Sequence, residues 1–221
     1  MTLLDFPGRV ACTVFLGGCD MRCPFCHNAE LLDASAPAEM EEDALLQFLE
    51  SRKGLLDGVA FTGGEPLLRK NLPELLRKIR DLGFATKIDT NGNHPDLLRV
   101  IAEEGLADYI AMDIKNSPAR YAETIGVPGF STEAVEESVR FLLSGPVDYE
   151  FRTTVIRELH DGASFEAIAN WINGAKRYFL QPFVDRESVP FEGLSAPSEE
   201  DLHNYEFLLR PYVDQVAIRG L

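Results

Sequence analysis

The stretch that organises this chain is Cys19-Asp20-Met21-Arg22-Cys23-Pro24-Phe25-Cys26, which directly follows the apolar run Val14-Phe15-Leu16-Gly17-Gly18. Its cysteines have the spacing Cys-x3-Cys-x2-Cys. Cysteine thiolates are the usual ligands of iron–sulfur clusters, and a four-iron cluster normally takes four of them. Three cysteines therefore leave one iron open to a ligand from outside the protein. The spacing predicts an iron–sulfur cluster held by Cys19, Cys23 and Cys26.

Two other uses of these cysteines have to be weighed. A structural zinc site could add His27 to the three thiols, but such sites usually close with a second ligand pair roughly 12 to 20 residues further on. The only other cysteine is Cys12, which lies inside an apolar run and fits a small core residue. Disulfides are not expected, because four cysteines in 221 residues without a secretory leader suit a reducing compartment. Zinc stays an open alternative to the cluster.

Composition limits the class of protein. With 221 residues, 45% of them hydrophobic, the chain can bury a sizeable core, and residues 1–221 are expected to form one domain. No apolar run is long enough for a transmembrane helix and the first residues lack the basic start of a signal peptide, so we expect a cytoplasmic protein. A net charge of −15 repels phosphate backbones and anionic lipid, so neither nucleic acid nor a membrane is an expected partner.

Short apolar strands alternate with amphipathic helices along the chain. Strands are predicted at 10–15, 58–62, 84–88, 109–112, 149–155 and 177–181, and helices at 39–53, 71–82, 95–104, 132–144, 164–173 and 198–210. Repeated β–α units form a parallel sheet that rolls toward a barrel, because parallel crossovers are right-handed. A complete eight-unit barrel needs ~250 residues. The pattern therefore predicts an α/β fold, an open partial (βα)6 barrel.

Glycines and polar residues follow the second and third predicted strands. The second strand runs into Gly63-Gly64-Glu65-Pro66, whose glycines allow a ligand to approach the backbone closely. The third strand ends in Asp89-Thr90-Asn91-Gly92. Active sites of β/α barrels are built at the carboxyl ends of the strands. Both segments are therefore expected beside the cysteine loop, which follows the first strand.

Charged residues mark the fourth and fifth strands. The fourth strand ends in Asp113-Ile114-Lys115, where alternation places Asp113 and Lys115 on one side. Arg152 lies along the fifth strand, and we expect it either to reach a ligand or to pair with a neighbouring acid. Charged side chains that close together at a strand end indicate a binding site more often than a core feature.

The segment from Gly17 to Asn28 resembles the signature of the radical S-adenosylmethionine (SAM) superfamily, in the form carried by glycyl-radical-enzyme activases. Gly-Gly-Glu-Pro at 63–66, Asp-Thr-Asn-Gly at 89–92 and Asp-Ile-Lys at 113–115 are similar to further motifs of those activases. The resemblance covers nearly the whole chain. It implies the partial barrel and a [4Fe-4S] cluster whose open iron is chelated by the amino and carboxylate groups of SAM.

The same resemblance assigns roles to individual residues. It implies that SAM is bound by residues of the second, fourth and fifth strands and the loops that follow them, namely Gly63, Gly64, Glu65, Asp113, Lys115 and Arg152. It also implies a monovalent cation at Asp89, Thr90 and Asp113. The activases commonly offer a histidine to SAM from the loop after the sixth strand, where this chain has Val184.

The function that the resemblance implies is reductive cleavage of SAM to install a glycyl radical on a partner enzyme. The most similar activases act on anaerobic ribonucleoside-triphosphate reductase, which makes that reductase the expected partner. A protein such as flavodoxin or ferredoxin is the expected electron donor. One alternative is a small-molecule radical SAM enzyme such as 7-carboxy-7-deazaguanine synthase, although that family tends to place Asp rather than His-Asn after the third cysteine. Another is a non-catalytic zinc or iron–sulfur binding module.

Overall fold

The computed structural model describes residue 2 and residues 4–35 and 38–221. Its centre is one sheet of seven parallel strands, whose order in the sheet is their order in the sequence. The strands are β1 (Ala11–Leu16), β2 (Gly58–Gly63), β3 (Ala85–Thr90), β4 (Tyr109–Asp113), β5 (Asp148–Val155), β6 (Ala175–Pro182) and β7 (Val213–Ile218).

Helices connect consecutive strands, as the crossovers of a parallel sheet require. They are α1 (Glu42–Glu50), α2 (Leu72–Asp81), α3 (Pro95–Glu103), α4 (Tyr121–Thr124), α5 (Glu133–Leu143), α6 (Gly162–Trp171) and α7 (Glu199–Leu209). In α2, the buried residues Leu72, Leu75, Leu76 and Ile79 recur at helical spacing. Burial of each such side chain contributes about 1.5–3 kcal/mol. Within the described ranges, no helix is long and apolar enough to cross a lipid bilayer.

The sheet does not close into a barrel. Among the strands of the described residues, β1 pairs only with β2 and β7 only with β6, and an isolated antiparallel bridge joins Thr2 to Ala11. The predicted strands and helices are present, and the fold is an open partial barrel of the α/β class, as predicted. Residues 213–218, for which the sequence predicts no strand, pair in parallel with β6. The sheet is therefore one strand wider than six β–α units alone would make it.

The concave side of the sheet is filled at its amino-terminal end by Phe6. This side chain is 2% exposed and packs with Ala11, Tyr109 and Ala111. Gly58 belongs to the same wall, because a Cβ at Gly58 would lie 3.0 Å from the Phe6 ring. Small residues on neighbouring strands thus leave room for one aromatic ring. The segment ahead of β1 closes this end of the sheet, and the predicted site lies at the other.

Candidate active site

The residues assigned from the sequence meet in one cleft at the carboxyl ends of the strands. Its walls include all of them: Cys19, Cys23, Cys26, Gly63, Gly64, Glu65, Asp89, Thr90, Asp113, Lys115 and Arg152. They come from β2 to β5 and from the loops after the first four strands. Parallel strands present their carboxyl ends at one edge, so the topology is enough to gather them. What they bind stays a prediction.

The cysteines of the loop differ from Cys12 in position. Cys19, Cys23 and Cys26 line the cleft as free thiols, whereas Cys12 is buried in the core. Burial raises the pKa of Cys23 to about 12, and the nearby Lys115 ammonium opposes that shift. Burial also raises the pKa of Cys19. A thiol that coordinates a metal is deprotonated outright, so bound iron would offset this effect.

A single zinc ion does not suit this arrangement. In residues 2, 4–35 and 38–221, no three His, Cys, Asp or Glu side chains are grouped so that they could hold one metal ion. A zinc ion needs such convergence. His27, the candidate fourth zinc ligand, places Nε2 2.7 Å from the Val184 carbonyl oxygen and stacks on Phe183. A cluster distributes its thiolates over several irons, so it fits three separated cysteines better.

Gly64 allows the cysteine loop to lie against the end of β2. Gly64 N donates to Leu16 O at 2.8 Å, and Glu65 N donates to Gly18 O at 2.7 Å. A Cβ at Gly64 would lie 2.0 Å from Gly18 O, and a Cβ at Gly63 would lie 2.6 Å from Leu16 O. From the sequence, these glycines are predicted to let a ligand approach the backbone closely. In the structure, backbone of the first strand and its loop already takes the space that their side chains would need.

The Glu65 carboxylate joins the ends of β2 and β3. It is 1% exposed and accepts hydrogen bonds from Thr90 Oγ1 at 2.8 Å, Asn91 N at 2.6 Å and Leu67 N at 3.0 Å. Burial raises the pKa of Glu65 to about 7, although these donors oppose the shift. A buried carboxylate with three donors is a rigid part of the cleft wall. Its contact with the SAM amino group stays a prediction.

A row of five charged side chains crosses β3, β4 and β5. Arg152 contacts Asp113 through Nε at 2.5 Å and Asp89 through Nη2 at 3.1 Å. Lys115 Nζ lies 2.8 Å from the other Asp113 oxygen, and Lys87 pairs with Asp89. Burial alone would raise the pKa of Asp113, but the Arg152 and Lys115 charges lower it below its usual range. The row holds three cations and two anions, and four of its members, Asp89, Asp113, Lys115 and Arg152, line the cleft.

The carboxylates that the sequence assigns to a monovalent cation are joined by a guanidinium. Arg152 lies between Asp89 and Asp113, and Thr90 donates its hydroxyl to Glu65. Arg152 thus forms the ion pair with neighbouring acids that was one of its two expected roles. Because it lines the cleft as well, a ligand contact is compatible with that pairing. The cation itself stays a prediction.

One set of contacts at the cleft was missed from the sequence. Asp20 is bound by three side chains that follow β3: Asn91 Nδ2 at 2.8 Å, Asn93 Nδ2 at 2.6 Å and His94 Nε2 at 3.0 Å. We call these four residues the Asp20 clamp. Burial raises the pKa of Asp20, but the hydrogen bonds outweigh it and lower the pKa to about 2. The sequence did contain a signal, because Asp20 is the single acid within the cysteine spacing.

Comparison with known proteins establishes the family. The family model described as the Radical SAM superfamily matches residues 13–172, which is more than half of the chain. The chain belongs to the radical SAM superfamily. For this radical SAM enzyme the family implies a [4Fe-4S] cluster and SAM. The cleft fits both, since three thiols line it beside Lys115 and Arg152, whose charged donors suit the carboxylate of SAM.

The relatives of this radical SAM enzyme include activases. It is 29% identical over 229 residues to a Methanocaldococcus jannaschii protein provisionally named a glycyl-radical enzyme activating enzyme, with 100% of this chain and 93% of the relative covered. It is 34% identical over 125 residues to the pyruvate formate-lyase-activating enzyme of Clostridium pasteurianum, with 52% and 50% covered. It is 32% identical over 137 residues to a 7-carboxy-7-deazaguanine synthase of Thermococcus kodakarensis, with 52% and 53% covered. The last two matches span about half the length of each relative.

Solved structures share the fold of this radical SAM enzyme. SuiB of Streptococcus suis, bound to its precursor peptide SuiA, superposes with a TM-score of 0.75 at 14% identity. The superposition covers 98% of this chain and 49% of the SuiB chain. At that identity the likeness concerns the fold alone.

Proposed function

We propose that this radical SAM enzyme installs a glycyl radical on a partner protein. The match to the Methanocaldococcus jannaschii protein carries the proposal, because it spans 100% of this chain and 93% of the relative. The overall reaction consumes one electron, SAM and the hydrogen on a glycine Cα. It yields methionine, 5′-deoxyadenosine and the glycyl radical, so atoms and electrons balance.

The residues of the cleft have distinct proposed roles. Cys19, Cys23 and Cys26 would hold the [4Fe-4S] cluster, which together with SAM supplies the reductive cleavage and the hydrogen abstraction. Lys115 and Arg152 present positive charge that suits the SAM carboxylate, with Asp113 orienting both. The backbone of Gly63 and Gly64 and the Glu65 carboxylate would bind the SAM amino group.

The proposed partner is an anaerobic ribonucleotide reductase, and the proposed electron donor is a flavodoxin or ferredoxin. The segments that favour this reductase are Cys26-His27-Asn28 and Asp89-Thr90-Asn91-Gly92. A glycyl-radical enzyme of the pyruvate formate-lyase type is a second candidate partner, because the chain is 34% identical to the corresponding activase over 125 residues. The open sheet supports a polypeptide substrate, since no strand pairing between β1 and β7 in the described residues closes the concave side.

Two finer points belong to the proposal. The first is a monovalent cation at Asp89, Thr90 and Asp113, alongside the contacts of Arg152. Rates of SAM cleavage measured in potassium, sodium and tetramethylammonium salts test it, and equal rates would contradict the cation site.

The second is that residues 1–221 form one domain. Limited proteolysis that releases a stable fragment of half the chain would contradict it.

The test of the main proposal is anaerobic incubation of the reduced enzyme with SAM and the candidate reductase. Electron paramagnetic resonance should show a glycyl doublet, and 5′-deoxyadenosine should form with it. A reductase variant whose acceptor glycine is replaced by alanine is the matched control and should show no doublet. SAM cleavage coupled to a purine-like small molecule, and never to a protein, would move the assignment to the 7-carboxy-7-deazaguanine synthase type. A zinc-loaded protein without iron would contradict both the activase assignment and the 7-carboxy-7-deazaguanine synthase assignment.

A further inference from the structure

Cys19 is held on both sides by hydrogen bonds that do not involve its thiol. Before it, Gly18 O accepts a hydrogen bond from Glu65 N at 2.7 Å. At Cys19 itself, the carbonyl oxygen accepts from Arg22 Nη1 at 2.6 Å. After it, Asp20 binds the three side chains of the Asp20 clamp. The backbone around this cysteine is thus tied to the ends of β2 and β3.

The donors of the Asp20 clamp are themselves fixed by the sheet. Asn91 N donates to Glu65 Oε2 at 2.6 Å, and Asn91 Oδ1 accepts from Asn93 N at 2.9 Å. His94 directly precedes α3, whose first residue is Pro95. The donors lie 71 to 74 residues beyond Asp20 in the sequence. Their positions therefore come from the fold rather than from the cysteine loop.

We propose that Asp20 is a positioning residue for the cluster. Asp20 holds Cys19 in place and sets one negative charge beside the bound irons. The inference rests on the proposed ligation by Cys19, Cys23 and Cys26. Partners that orient metal ligands typically contribute 10–100-fold to metal affinity or activity. The potential of an iron–sulfur cluster also depends on nearby charge. The Asp20 carboxylate therefore makes the cluster harder to reduce.

The test compares Asp20→Ala with Glu30→Ala, which removes an exposed carboxylate from the segment after Cys26. Three measurements are made anaerobically: iron release to a chelator, the midpoint potential by spectroscopic titration, and hydrogen exchange of the iron-free chain. For Asp20→Ala we expect about 10-fold faster iron release and a more positive potential. Exchange should rise over 17–26 and stay unchanged over β4. Glu30→Ala should match the wild type in all three.

A conservative variant separates the hydrogen bonds from a general loss of packing. His94→Gln keeps a donor for Asp20, so it should retain iron better than His94→Ala. Unchanged iron release and exchange in Asp20→Ala would overturn the proposal. An equal shift of potential in Glu30→Ala would overturn the role of the Asp20 charge. A wild-type chain that assembles no cluster would overturn the proposed function, and exchange of the iron-free chain would still decide whether Asp20 orders the loop.

Discussion

Arg152 and Asp113 face each other across β5 and β4, with Nε 2.5 Å from Oδ1. The parallel register places these two residues directly opposite each other. The same guanidinium reaches Asp89 on β3, so one side chain connects the ends of three strands. The cleft of an open sheet thereby gains a wall that is fixed by charge rather than by closure of a barrel.

Removal of Arg152 should weaken the fold measurably. Arg152→Met leaves Asp89 and Asp113 without the partner they share, so the free energy of unfolding should fall by about 3 kcal/mol, as is typical when a buried ion pair loses one member. Arg152→Lys keeps the charge but lacks the planar fork that spans both carboxylates, so it should lose less. Urea unfolding of the iron-free chain measures both. Equal stability of the two variants would contradict a structural role of the bridge.

The pKa of Glu65 predicts a pH dependence of stability. It is raised to about 7 by burial, whereas an unfolded glutamate has a pKa of about 4.3. The stability contributed by this group is therefore fully present below about pH 4.3 and is lost as the pH rises through about 7.

Glu65→Gln removes this titration. The free energy of unfolding of the wild type, minus that of Glu65→Gln, should fall by about 2–3 kcal/mol between pH 5 and pH 8. Urea unfolding of the iron-free, reduced proteins at several pH values measures the difference. Glu30→Gln, which removes an exposed carboxylate, is the matched control for the loss of one charge. A difference that does not change with pH for Glu65→Gln would contradict the raised pKa of Glu65.

The four cysteines should separate into two classes. Cys23→Ala should abolish cluster assembly, because it removes a thiol that lines the cleft. Cys12→Ala removes a thiol from the core and should leave the iron content intact. Iron and acid-labile sulfide per chain, measured after anaerobic reconstitution, distinguish the two. Equal iron loss from both variants would refute the assignment.

Gly64→Ala should displace the backbone of the cysteine loop as well as change the binding of a ligand. Its Cβ would lie 2.0 Å from Gly18 O, so the loop has to move, at a cost of about 1–3 kcal/mol. We expect lower cluster content as well as weaker SAM binding. Gly162→Ala is the matched control, because no atom beyond its chain neighbours and the backbone of its own helix lies within 4 Å of its Cβ position. If the cluster content stayed full and only SAM binding weakened, the result would instead support the prediction from the sequence that Gly64 lets a ligand approach the backbone.

Sequence reasoning located the candidate site but not its internal bonds. The strand ends could be predicted because apolar runs and turn residues define them locally, and parallel topology then brings those ends together. Whether Arg152 contacts a ligand or pairs with the acids Asp89 and Asp113 depends on the register of three strands. Local patterns do not contain that register.

The remaining misses have the same physical origin. Asp20 and His94 are 74 residues apart, and nothing local to either residue predicts their contact. Residues 213–218 form a strand because their backbone pairs with the edge of β6, where Tyr178 lies opposite Val216. The glycines at 63 and 64 were expected to let a ligand approach the backbone closely, and that contact stays a prediction. The group that takes the space of their side chains is the chain's own backbone, which only the fold reveals.

Phe6 also provides an apolar floor beneath the charged residues at the strand ends. Its ring lies against Ala11, Ala111 and Gly58, whose small side chains or lack of one contribute little bulk of their own. Ala111 and Asp113 point to the same face of β4, so the ring lies beneath the polar layer. A smaller residue at position 6 would leave unfilled space beside Ala11, Ala111 and Gly58 at the amino ends of the strands. The packing at this end of the sheet and the chemistry at the other end thus depend on different residues.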